Sequence, residues 1–150
     1  MTSIDEDFQA WCVEQATLLR EGRFDAIDLP NIIEELESLD RAEKSKLRDE
    51  LERGIHTLLL WRTFEGRRAT GWYVTITDAR AMIKAVLESS PQLHRQLPHL
   101  FAAAYGDARR WVAWNTGLDI RLLSKEPPFD YEYLMTMNLD EMERTPPHDD

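Results

Sequence analysis

The chain has 150 residues, a formal net charge of −10, 43% hydrophobic and 31% charged residues, and one cysteine, Cys12. That length fits one domain able to bury about two-thirds of its unfolded surface, and the negative charge disfavours phosphate backbones and anionic membranes as partners. One cysteine excludes an intramolecular disulfide and a Cys-based zinc cluster.

The N-terminal MTSIDEDF carries no apolar signal core, and the longest apolar run, 58–61, is far too short to span a bilayer. A cytoplasmic protein is therefore expected. Phe8, Trp11, Cys12, Gln15, Leu18 and Leu19 recur at helical spacing and predict a first helix over about 5–21. Gly22 follows as a left-handed cap. Asp28 reads as the N-cap of a second helix, with Pro30 in its first turn. Leu29, Ile32, Ile33, Leu36 and Leu39 form its apolar stripe. The Asp40–Glu43 spacing of a capping box predicts a tight turn there.

A third helix is expected over about 41–64, with Leu47, Leu51, Gly54, Leu58 and Trp61 inward. A fourth follows over about 72–89, closed by Pro91, and a fifth over about 98–116, capped by Gly117. Asp130 caps a short helix near 130–136. No run alternates long enough to build a sheet. The sequence thus predicts an all-α, single-domain bundle of about five main helices plus that short one. Its core should cover about 5–136 and its tail, 141–150, should be flexible.

The segment DEDFQAWCVEQATLLREGRFDAIDLPNIIEELESLD, an apolar helix ending in Trp61, then GW, Thr75–Ile76, SPQL, AAAYGDAR and NTGL stand in an order that resembles a bacterial family. It is the domain-of-unknown-function family numbered twenty-nine, a set of small helical proteins. The resemblance spans roughly residues 4–134 and implies an all-helical fold, with no established activity, substrate or cofactor. Two departures stand out. The family commonly has a histidine about four residues before that tryptophan, where this chain has Thr57, and His56 lies one residue earlier, about 100° around a helix. The family also tends to have glycine where Asp40 stands.

Four acidic or histidine positions invite a chemical reading. Glu52 and His56, spaced i, i+4, could share a divalent metal with Glu35 or Glu37 reaching across from the second helix. The Glu-x-x-His motifs of bundle metal sites are absent, however, so no cofactor is expected. His56 is read first as a structural histidine hydrogen-bonded to a neighbouring helix. Cys12, on the expected buried stripe, is read as a small hydrophobe rather than as a nucleophile paired with His56.

Arg62, Arg67 and Arg68, interleaved with aromatics in WRTFEGRRATGWY, could contact an anion or nucleic acid. They are read first as partners of the acidic helices, with Trp61, Phe64 and Trp72 closing one end of the core. Trp111 is expected inward. Trp114, off the stripe, is either an interface anchor or packed beneath Pro128, Phe129 and Tyr131, and the second is preferred. With no complete catalytic set, the expected role is a non-enzymatic protein–protein interaction or regulatory module whose partner is another protein. The alternatives are a metal-binding or enzymatic bundle using Glu35, Glu37, Glu52 and His56, and weaker still an anion or nucleic-acid contact.

Overall fold

A computed structural model of the chain describes residues 1–64 and 70–143. Helices α1 (Phe8–Arg20), α2 (Leu29–Thr63), α3 (Thr70–Ser89), α4 (Leu97–Thr116), α5 (Tyr131–Thr136) and α6 (Asp140–Glu143) follow in order. Short 3₁₀ helices cover Pro91–Gln96 and Ile120–Leu122. No strand occurs among the described residues, so the all-α class is as expected.

The helix ends follow local rules. Asp7 caps α1 by accepting from the Ala10 amide at 3.0 Å. After Glu21 the chain enters the left-handed region at Gly22, φ +72°. There the Gly22 and Arg23 amides donate to the carbonyls of Leu19 (3.1 Å) and Leu18 (2.9 Å), the paired bonds of a Schellman motif. Gly117, also at φ +72°, ends α4, and the Asp130 carboxylate caps α5 by accepting from the Tyr133 amide at 2.8 Å.

The expected turn at Asp40 does not exist. The second and third expected helices are one 35-residue helix, α2. No glycine or proline lies between Pro30 and Gly54, and an Asp-x-x-Glu spacing without a breaker sits on a polar helix face as readily as at a start. Exposed pairs on that stretch, Arg41–Glu34 at 2.8 Å and Lys46–Glu43 at 3.5 Å, each add at most a few tenths of a kcal/mol.

Backbone packing groups the chain into two units, residues 1–42 and residues 43 onward. In the first, Trp11, Gln15 and Leu18 of α1 are buried. Asp28 is the polar centre of this unit. Its amide donates to Gln15 Oε1 at 2.6 Å. Its carboxylate accepts from Trp11 Nε1 at 3.0 Å and from Asn31 Nδ2 at 2.8 Å. Hydrogen bonds from Asn31 and Trp11 hold this carboxyl below its usual range. The stripe Leu29, Ile33, Leu36 and Leu39, expected to face a core, is instead 46–64% exposed.

The second unit holds the main core. The later half of α2 contributes Leu47, Leu51, Ile55, Leu58 and Trp61, α3 contributes Ile76, Ile83 and Val86, and α4 contributes Phe101, Ala104, Tyr105, Ala108 and Val112. Gly54 lets another segment approach: a β-carbon there would lie 3.2 Å from Leu134 Cδ1 of α5.

Residues 118–139 carry only short helices of their own, and several of their backbone carbonyls accept from side chains of α3 and α4. Arg80 donates to the carbonyls of Leu134 and Met137, both at 2.8 Å. Tyr105 donates to Ser124 O at 2.5 Å, and Arg109 donates to Ile120 O at 2.9 Å and to Leu123 O at 3.1–3.2 Å. Buried residues continue to Met142, past the boundary expected near residue 136, and residues 144–150 of the expected tail lie outside the described set.

Candidate functional site

Two of the four acid and histidine candidates meet. His56 Nδ1 lies 3.2 Å from Glu52 Oε1, one helical turn away on α2. An ionised carboxylate only accepts, so Nδ1 carries the proton of this contact. The ring then stacks on Trp111 of α4, with centroids 4.1 Å apart and planes 22° apart. Glu52 thus sets the imidazole angle, and the imidazole backs the indole. The hydrogen-bond partner is on the histidine's own helix, and the tertiary contact is aromatic.

Glu35 and Glu37 belong to the first unit, and Glu52 and His56 to the second. Glu35 is half-buried and Glu37 exposed. Among the described residues no group of three or more His, Cys, Asp or Glu side chains is arranged to hold a metal ion. Cys12 is a free thiol and only partly buried, not on a sealed stripe.

The tryptophans depart most from expectation. Trp111, expected inward, is 39% exposed, because its inner face rests on His56 rather than in the core. Trp114 is 88% exposed and does not lie beneath the C-terminal segment. Phe129 there is occupied instead by Phe101, at 6.3 Å edge-on, and by Tyr133 at 5.7 Å. The two indoles, with Ala113, Leu118 and Ile120, line an open groove of about 630 Å³ that has Arg110 on its rim. Nearby, the Asp107 carboxylate accepts from both Arg48 and Arg110. Burial alone would raise its pKa, but the bonds and charges of those two arginines outweigh it and hold the carboxyl low.

Arg62, itself exposed, places its guanidinium 5.6 Å from the Phe129 ring centre and 5.7 Å from that of Tyr133, an intramolecular cation–π contact. Arg67 and Arg68 lie outside the described residues. Trp61 is buried, and Phe64 and Trp72 pack against the core at its edge, as expected.

Sequence reasoning misses the His56–Trp111 pairing and the groove. The signal for the groove is Trp111 and Trp114 three residues apart on one helix, a spacing that puts both indoles on one helical face, with Leu118 just past the Gly117 cap. It also misses that Arg80, Tyr105 and Arg109 secure the C-terminal segment, since backbone carbonyl partners leave no mark on composition. Among the described residues no helix is long and apolar enough to cross a membrane.

No curated protein and no solved structure matches the chain. The family model described as a domain of unknown function, DUF29, matches residues 4–139, nearly the whole length. The helical order, the Asp28-centred N-terminal unit and the core just described are therefore those of a member of the DUF29 family, to which this chain belongs.

Proposed function

We propose that the protein is a non-enzymatic interaction module that binds a segment of another protein in the Trp111–Trp114 groove. The observation that carries this reading is Trp114, 88% exposed in an open, mainly apolar groove. Tryptophan is among the residues most enriched at binding hot spots, because it offers large, rigid contact area with a single donor. Leaving it in water is unfavourable, and an apolar side chain of a partner would relieve that. The Glu52–His56 pair serves as the support of one groove wall, holding Trp111 at a set angle. Arg110 on the rim offers a donor to a partner carbonyl or carboxylate.

Selection of binders from a displayed peptide library, with counter-selection on Trp114→Ala, tests this. Enriched sequences should carry an apolar anchor and lose at least tenfold in affinity with Trp114→Ala. Absence of any Trp114-dependent binder removes the reading. The proposed setting is the cytoplasm.

A further inference from the structure

The unit formed by residues 1–42 has an unusual combination of charge and exposed aliphatic surface. It holds eleven acidic residues against three arginines and no lysine, so −8 of the chain's −10 falls there. On the same unit, Leu29, Ile33, Leu36 and Leu39 are 52%, 46%, 61% and 64% exposed. At 100° per residue these four fall within about 120° of the helix circumference, a continuous stripe of the width by which helices pack. On the same wheel Glu35 and Glu37 lie about 40° beyond either edge of the stripe. Arg41 of this unit is bonded to Glu34 at 2.8 Å.

We infer that this face of α2 docks a cationic amphipathic helix of a partner protein. Aliphatic residues at i, i+4, i+7 and i+10 on a helix accept the apolar ridge of another helix, the helix-in-groove mode of recognition. The two flanking glutamates select what lies beside that ridge. Lysine or arginine on both sides of the incoming helix meets Glu35 on one edge and Glu37 on the other, which sets orientation and speeds encounter. A second copy of this chain brings the same −8 to its own stripe, so self-association through this face works against charge. A nucleic acid or an anionic bilayer is repelled for the same reason. This face shares no residue with the tryptophan groove, and the inference does not depend on that groove.

The test uses the full chain at 150 mM salt and a labelled 18-residue peptide of leucine and lysine with helical periodicity. A shuffled isomer of identical composition lacks the periodicity. Fluorescence anisotropy should show the periodic peptide binding at least tenfold more tightly than the shuffled one. Leu36→Ser with Leu39→Ser should weaken it at least tenfold with the circular dichroism spectrum unchanged, and Leu29→Gln with Ile33→Gln gives a second, independent pair should the first unfold. Trp114→Ala should leave binding within twofold, which separates this face from the groove.

Equal binding of both peptides reduces the effect to charge and overturns the inference, as does no binding or binding insensitive to both stripe pairs. Loss of binding with Trp114→Ala relocates it to the groove and also overturns it. A dimer in sedimentation velocity that dissociates in the stripe variants means that a second copy covers the face, and this too overturns the inference.

Discussion

Replacing Arg80 by alanine tests whether α5 is held by its neighbours or by itself. The guanidinium donates to Leu134 O and Met137 O, both at 2.8 Å, and its own pKa is lowered by burial. A hydrogen bond from a charged group contributes about 1.5–3 kcal/mol net, and two bonds sharing one side chain do not add fully. The group is not fully sealed from water, so each bond sits near the low end of that range, and the two together, adding incompletely, give a loss of about 2–3 kcal/mol. For a protein of this size that is a fall of roughly 5–10 °C in Tm. Lysine, a single ammonium without the planar fork, should recover only part. Urea unfolding supplies the free energy, and hydrogen exchange should quicken at the Leu134 and Met137 amides, which bond to Asp130 O and Tyr133 O. A loss below about 0.5 kcal/mol, with α5 exchange unchanged, would falsify the argument, since water would then be serving the two carbonyls equally well.

Four further outcomes are expected. Tyr105→Phe should cost about 1 kcal/mol in urea unfolding, through the lost bond to Ser124 O. Burial raises the Tyr105 pKa, so that residue's contribution is complete below the unfolded value near pH 10 and fades as pH climbs through the folded one. Gly54→Ala should stay within about 1 kcal/mol of the parent, its helix-propensity gain offset by the 3.2 Å approach to Leu134, whereas Gly54→Val should lose about 1–3 kcal/mol. Asp28 and Asp107 both have lowered pKa values, so their support is complete above the unfolded value near 3.9 and is lost as pH falls through the lower folded values. Asp28→Asn and Asp107→Asn should each flatten the acid limb of a stability–pH curve, and an unchanged limb would count against both networks. Added Zn²⁺ or Mn²⁺ should leave Tm unaltered in parent and His56→Ala alike; a metal-dependent rise lost with His56 would revive the metal reading.

Most of the helices are readable in the sequence because their ends carry local chemistry. Gly22, Gly117 and Asp130 cap or stop the chain through local backbone geometry or bonds made within a few residues, and these depend on nothing remote, whereas Asp28 at the start of α2 also bonds Trp11 and Gln15 of α1. The turn expected at Asp40 fails for the same local reason in reverse. A capping box without glycine or proline nearby is a pattern a continuous helix also satisfies. The site is less legible. Glu52 with His56 is visible as an i, i+4 pair, but the ring that meets His56 comes from Trp111, 55 positions along, and periodicity carries no information about which helices become neighbours. The stripe from Leu29 to Leu39 is legible as one face, yet burial depends on what packs there. The pattern alone does not distinguish a face buried by the chain from one left for a partner.

The carbonyl contacts made by Arg80, Tyr105 and Arg109 bear on how the protein is synthesised. Partners such as Arg80 and Met137 O are 57 positions apart, and the carbonyl-bearing segment leaves the ribosome only after all of α3 and α4. Until it emerges, the core side chains destined to meet Leu123, Phe129 and Leu134 have no cover, and three polar side chains wait without acceptors. The second unit thus completes its fold only after that segment has emerged, and its nascent form, apolar and open, is the state most exposed to aggregation or chaperone capture.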